Sequence, residues 1–206
     1  MKHLMLSAAL VAALCGGSAA LAQQKGDITI GLGLAMVQPK DDNGSLTTSN
    51  LDVDVSDSTR PTLTLEYFVM DNVGIELLAA TPFEHDVELD TLGKVASVNQ
   101  LPPTLSVQYH IPTGSKVTPL VGVGLNYTTF WNVDEKGALK GSKLSLDDSW
   151  GLAVHAGLDF AVTERGSIRA DVRWMDIDSE VKLNGDKIGE AEIDPWVWGM
   201  SYIYKF

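Results

Sequence analysis

Four residues of this chain could together do covalent chemistry: His110, His155, Asp159 and Ser149. They offer the base, the orienting acid and the hydroxyl that nucleophilic catalysis needs. If 155–159 is a strand, His155 and Asp159 share a face but lie about 13 Å apart along it, and Ser149 is farther away. The spacing gives no catalytic pair within one strand; a pair formed with a residue of a neighbouring strand remains an alternative. We favour histidines in a polar interior network; an enzyme that modifies lipid acyl chains is the weaker alternative.

Acidic residues crowd the segment 38–59 and could bind calcium or the divalent ions that bridge lipopolysaccharide: Asp41, Asp42, Asp52, Asp54 and Asp57. Calcium loops need closely spaced ligands and a turn glycine. The spacing Asp52-x-Asp54-x-x-Asp57 lacks both, so we interpret the segment as a solvated loop. Asp147-Asp148 and Asp176-x-Asp178 are expected to cap the rim of the fold. The sequence therefore predicts no metal site and no cofactor.

The first residues have the order of a secretory signal. Lys2 is followed by the apolar run 4–14 and by the small-x-small sequence 20–22. This order is typical of a cleaved signal peptide, and the run is too short for a membrane span. We therefore predict a signal peptide at 1–22 and one domain at 23–206.

Composition narrows the function classes further. The single cysteine, Cys15, lies in the signal, so the mature chain has no disulfide and no thiolate site. The formal net charge of −12 repels phosphate and argues against nucleic acid as a partner. No later segment approaches the roughly 18 apolar residues of a membrane helix. An exported membrane protein of this kind must be a closed barrel, because only helices and barrels satisfy every backbone group in hydrocarbon.

Strict alternation of side chains indicates membrane strands. In the last segment one parity is large and apolar and the other is small or polar; the large set is Trp196, Trp198, Met200, Tyr202, Tyr204 and Phe206. Seven earlier segments repeat the alternation, beginning near residues 28, 62, 73, 104, 121, 150 and 168. We predict an all-β fold, an eight-stranded antiparallel transmembrane β-barrel whose large face meets lipid.

The connections and aromatic residues fit such a barrel. Short turns at 70–72, 112–116 and 163–167 alternate with long loops at 38–59, 84–100, 132–147 and 178–193. This is the outer-membrane pattern of short periplasmic turns and long extracellular loops. His85 falls in a predicted loop with no evident partner. Threading the chain up and down places two aromatic girdles at the membrane interfaces: Trp131, Trp150, Trp174, Trp196 and Trp198 at the extracellular rim, and Tyr67, Tyr109, Phe160, Tyr202, Tyr204 and Phe206 at the periplasmic rim.

The inward parity carries mixed charges and a few apolar residues. The charged or titratable set is Glu66, Glu76, His110, His155, Asp159, Arg169, Asp171, Arg173 and Lys205. Such residues are expected to pair and to block the lower lumen, since eight strands leave room for little more than side chains. An apolar upper channel is predicted at Leu78, Phe130, Met175 and Ile177, with Leu120 too low to contribute.

Four prolines lie near the predicted strand tops: Pro82, Pro102, Pro103 and Pro195. Each either shapes a side opening or only ends a strand, and for each taken singly we favour the second.

Six ordered blocks of the sequence resemble the OmpW family of outer-membrane barrels, which includes alkane-uptake proteins: 76–83 (ELLAATPF), 101–106 (LPPTLS), 121–130 (VGVGLNYTTF), 146–152 (LDDSWGL), 174–178 (WMDID) and 193–197 (IDPWV). The resemblance implies a monomer in the outer membrane, in contact with lipid and lipopolysaccharide and recognised by the assembly machinery through Phe206. It also implies passive passage of small hydrophobic molecules through an apolar upper channel with a lateral exit. A structural barrel, or a receptor for phages, bacteriocins or host surfaces, is the alternative.

Overall fold

A computed structural model of the chain describes residues 23–40, 43, 45–46, 51–89 and 92–206; the predicted signal at 1–22 lies outside them. The described strands are β1 (Ile28–Gln38), β2 (Ser45–Leu46), β3 (Leu51–Val55), β4 (Ser58–Met70), β5 (Val73–Ala80), β6 (Phe83–Leu89), β7 (Gly93–Leu101), β8 (Thr104–His110), β9 (Val117–Glu135), β10 (Leu144–Leu146), β11 (Ser149–Ala161), β12 (Gly166–Met175), β13 (Asp178–Leu183), β14 (Asp186–Glu192) and β15 (Trp196–Lys205). One 3-10 turn covers Gly137–Leu139. Among these residues, no helix is long and apolar enough to cross a membrane.

Eight of the strands close into an antiparallel barrel, which confirms the predicted fold. Their order is β1-β4-β5-β8-β9-β11-β12-β15, and β15 returns to pair with β1 from Thr29↔Lys205 to Gln38↔Trp196. Closure pairs each of the eight strands with a neighbour on both sides, which is the condition for a sheet in hydrocarbon. Short turns join the strands at the lower end, and long connections join them at the upper end.

The outer face of the barrel is apolar. Leu32 and Met200 are 65% and 64% exposed, whereas Val197 and Ile203, on the other face of β15, are 4% and 3% exposed. Large apolar side chains therefore point outward and small or polar ones inward, the reverse of a soluble barrel and the arrangement of a lipid-facing wall. Exposed aromatic residues lie toward both ends: Trp150, Trp196 and Trp198 at the upper end, and Tyr67, Tyr109, Tyr202, Tyr204 and Phe206 at the lower end.

The interpretation of the long connections as loops was wrong for much of their length. Seven strands continue above the barrel in the order β10-β13-β14-β2-β3-β6-β7, and β7 joins the upper part of β9 from Leu101↔Thr129 to Ala96↔Glu135. Apolar residues alternate within one of these strands, β6, at Phe83, Val87 and Leu89. We call this second sheet the upper extension; its strands curl around an apolar interior of their own.

Candidate functional site

The lower lumen is filled by a network of ion pairs centred on Arg169. Its guanidinium donates to Asp159 through Nε at 2.7 Å and to Glu76 through Nη1 at 2.8 Å, and Glu66 lies 3.7 Å away. Arg173 Nη2 donates to the other oxygen of Glu76 at 2.9 Å. All these side chains are almost fully buried. Opposite charges at this separation compensate for one another, so each carboxylate of the network lies beside a guanidinium and the network closes the lumen.

Two histidines and a glutamine extend the network across the lumen. His110 Nε2 is 2.9 Å from Glu66 Oε1, and His155 Nε2 is 2.9 Å from Gln108 Oε1. Gln108 Nε2 donates to Glu76 Oε2 at 3.4 Å. The hydrogen bonds of both rings thus go to a carboxylate and an amide instead of a hydroxyl. This geometry fits an interior network better than a nucleophile beside its base.

Glycines on neighbouring strands provide the room for these large side chains. A Cβ atom on Gly74 would overlap the carboxylate of Glu66, and one on Gly122 would overlap the ring of His155. Asp171 has similar space beside Gly199 and borders a void of about 20 Å³ together with both arginines. Small inward residues therefore alternate with large ones, as in other narrow barrels.

An apolar layer lies above the network and below the upper extension. Its buried members are Ala35, Val37, Phe83, Ala153, Met175, Ile177, Ile193 and Val197, with half-buried Leu78, Ala80 and Phe130 packed against them. The layer separates the charged lower lumen from everything above it.

The upper extension encloses a cavity of about 330 Å³. Two of its residues, Phe130 and Ile193, also belong to or contact the apolar layer, so the layer is its floor. Every described residue that lines it is apolar except His85 and Gln100. A volume near 300 Å³ and an apolar lining are typical of sites for one small ligand.

The predicted channel residues fall at two levels. Phe130 lines the cavity, whereas Met175 and Ile177 are buried in the apolar layer and Leu78 packs against it. Leu120 pairs with His110, at the level of the charged network. Most of the cavity wall comes from the connections interpreted as loops, including Val87, Val95, Leu144, Val181 and Ile188. Apolar residues at alternate positions of β6 were the sequence signal for part of this wall.

The ladder of backbone hydrogen bonds between neighbouring strands is interrupted at one place beside the apolar layer. β5 and β8 pair up to Leu78↔Thr104, and β6 and β7 resume at Phe83↔Gln100. Residues 79–82 and 101–103 of the described chain lie in between, and we call this interruption the ladder gap. Two of the predicted prolines, Pro82 and Pro102, stand on its opposite edges.

Pro102 has no N–H to donate across the gap. The Pro103 carbonyl accepts from the Tyr127 amide at 3.0 Å, so the backbone groups of residue 103 face β9. Backbone groups of alternate residues point to opposite sides of a strand, and those of Pro102 therefore face the gap. Continuing the β5–β8 register by two residues places Ala80 opposite Pro102, which has no N–H to donate.

A group of three carboxylates lies at the upper rim. Asp176, Asp178 and Asp194 offer oxygen atoms within 4.8 Å of one another. Asp194 accepts hydrogen bonds from Lys40 Nζ at 3.0 Å and from the Ile177 amide at 3.2 Å. Burial raises the pKa of the Asp178 carboxyl, and the negative charge of Asp194 adds to this effect. These bonds fit the predicted role of the acidic pairs, which is to cap the rim.

The chain is similar to known outer-membrane proteins over nearly its whole length. It is 40% identical to Outer membrane protein W of Salmonella typhi over 213 residues, with all of both chains covered. The crystal structure of OprG from Pseudomonas aeruginosa superposes with a TM-score of 0.81 at 35% identity and covers 91% of this chain and 99% of that one. The solid-state NMR structure of AlkL in lipid bilayers gives 0.67 at 25% identity, over 93% and 94%.

The family comparison agrees with these relatives and with the barrel geometry. The model of the OmpW family matches residues 24–206, which is the whole predicted mature chain apart from its first residue. The protein therefore belongs to the OmpW family and is a β-barrel of the outer membrane.

Proposed function

We propose that this barrel takes up small apolar molecules passively, through the cavity of the upper extension, and releases them sideways into the bilayer through the ladder gap. The observation that carries the proposal is the apolar cavity of about 330 Å³. It lies at the end with the long connections, which face the outside in this class of barrel. An apolar solute gains free energy there because it leaves water.

The closed lower lumen argues for a lateral exit. To move straight down, a solute would have to separate Arg169 from Asp159 and Glu76, which are held at 2.7 and 2.8 Å. Unpaired buried charges are far more costly than paired ones. The ladder gap instead adjoins the floor of the cavity, because Phe83 at its upper edge belongs to the apolar layer. Beyond the gap lies lipid, where an apolar molecule is soluble.

The proposal includes no covalent step and no cofactor. A barrel that only stabilises the envelope has no use for an apolar cavity, so the cavity favours transport over that alternative. The resemblance of the sequence to a family with alkane-uptake members supports the same route.

Pro102→Val is expected to slow the uptake of naphthalene. Valine supplies the N–H that the Ala80 carbonyl lacks across the gap and lets the ladder continue. One net hydrogen bond of about 1 kcal/mol changes the ratio of closed to open gap by roughly fivefold. Naphthalene fluorescence would be followed in vesicles with lipopolysaccharide in the outer leaflet, because that leaflet is the barrier.

Pro103→Val is the matched control for this experiment. It makes the same change one residue away, but the new N–H faces β9, so uptake should equal that of the wild type. If both variants slow naphthalene uptake equally, the cause is a general loss of flexibility of this part of the barrel and not closure of the gap. Unchanged uptake in Pro102→Val would rule the gap out as the exit.

A further inference from the structure

Two polar side chains interrupt the apolar wall of the cavity. His85 and Gln100 are each 1% exposed and lie on the paired strands β6 and β7. Phe83 is opposite Gln100 in this register, so His85 and Gln100 are diagonal neighbours on one face, within reach of each other's long side chains. The sequence interpretation of His85 as a loop residue without a partner was wrong: it is a strand residue bonded to the Ser56 carbonyl.

The bond to Ser56 defines the state of the His85 ring. Nδ1 lies 2.6 Å from a carbonyl oxygen, which can only accept, so Nδ1 carries the proton. Burial lowers the pKa of His85, and the opposing effect of the Ser56 carbonyl is smaller. In this extramembrane position the ring is neutral at pH 7, and Nε2 carries a lone pair.

His85 Nε2, an acceptor, and Gln100 Nε2, a donor, belong to residues that line the cavity. Both atoms are buried, and neither makes a hydrogen bond of normal geometry in the described residues. A hydrogen-bonding interaction with the Gln100 side chain raises the pKa of His85, which places the amide beside the ring. An unsatisfied buried donor or acceptor is costly, and natural cores contain few of them. A donor and an acceptor side by side match one hydroxyl group, which accepts one hydrogen bond while it donates another.

From this arrangement we propose that His85 and Gln100 form a hydrogen-bonding site for the single hydroxyl of an otherwise apolar solute. The ligands are small uncharged alcohols and phenols, preferred over hydrocarbons of the same shape. Described lining residues include no lysine, arginine, aspartate or glutamate, so a charged head group would lie unpaired there. The inference rests on the proposed function, because it assigns the solute class of the same cavity.

The site lies at the start of the exit route. Gln100 and Phe83 are the first pair above the ladder gap, and Phe130 is opposite Gln100 on its other side. The amide thus lies between two phenylalanines at the floor of the cavity. A solute held there by its hydroxyl would have its apolar body against these rings and beside the gap.

The test compares 2-naphthol with naphthalene, which differ by one hydroxyl. Binding of each to the full barrel in lipid nanodiscs would be measured by fluorescence, and the ¹⁵N signal of His85 Nε2 would be followed by NMR. We expect 2-naphthol to bind more tightly and to shift the Nε2 signal. Gln100→Leu should reduce the ratio of the two affinities by about tenfold, the effect of one buried hydrogen bond.

Asn99→Leu is the matched control, because it removes the neighbouring amide, which is on the opposite face of β7; its affinity ratio should equal that of the wild type. If 2-naphthol does not shift the His85 Nε2 signal, His85 and Gln100 bond to each other. If Gln100→Leu leaves the ratio of the two affinities unchanged, the Gln100 amide does not bind the hydroxyl. Either result overturns the site. Failure of naphthalene to bind the wild type would instead overturn the proposed function, whatever the ratio.

Discussion

Arg169→Met lowers the free energy of unfolding of the barrel by about 3–5 kcal/mol, the cost of breaking a buried ion pair by removing one partner. Its guanidinium is the common partner of Asp159 and Glu76, and Asp159 receives two of its bonds, at 2.7 and 2.9 Å. Methionine fills a similar volume but leaves the Asp159 carboxylate uncompensated in the lumen. Urea unfolding in lipid vesicles, followed by tryptophan fluorescence, measures the change.

Two further variants identify the cause of the loss. Adding Asp159→Asn to Arg169→Met removes the uncompensated charge and should restore part of the stability. Lys182→Met removes a lysine that pairs with Asp147 and Glu180 at the exposed surface of the upper extension, and exposed pairs contribute little. A loss for Arg169→Met as small as that for Lys182→Met would show that the lumen is hydrated, contrary to the closed network.

Leu78→Arg slows naphthalene uptake more than about tenfold, which corresponds to roughly 1.4 kcal/mol in the barrier. Leu78 forms the last pair below the ladder gap and packs against the apolar layer. The small void beside it is lined by Arg169 and Arg173 but also by Asp171, whose carboxylate is within reach of a new guanidinium. The new guanidinium would bring charge and water to the base of the exit, where an apolar solute has to turn.

Leu78→Met is the control for this variant, since it keeps the volume and the apolar character. Its uptake should match that of the wild type. Resistance of the folded barrel to unfolding in sodium dodecyl sulfate would establish that each variant is folded. Wild-type uptake by a folded Leu78→Arg barrel would remove Leu78 from the solute path.

The barrel was predictable from sequence because each of its strands has one face toward lipid. Trp196, Trp198 and Met200 share a parity that is exposed, whereas Val197 is buried. The same alternation, applied to the other strands, placed Glu76 and Arg169 on the inward face, where the structure pairs them. The choice of partners depends on rotamers and on space left by glycines such as Gly74, and no local sequence rule supplies that.

The upper extension was not predictable in the same way. Its strands are short, and bulges at Val87/Glu88, Ser97/Asn99 and Val181/Lys182 shift the register and break the alternation. A bulge moves the following side chains to the other face, so the apolar residues no longer follow one parity. The cavity also joins residues as distant as Val55 and Ile193, a contact that becomes visible only once the strand order is known.

The most direct test of a lateral apolar route is uptake of naphthalene and of arabinose, a polar solute of similar size, by vesicles with lipopolysaccharide in the outer leaflet. Vesicles that contain the wild-type barrel would be compared with vesicles that contain none. The cavity, the ladder gap and the closed lumen together predict faster entry of naphthalene and no acceleration of arabinose. Faster entry of arabinose would mean an aqueous pore through the lower lumen and would contradict the account.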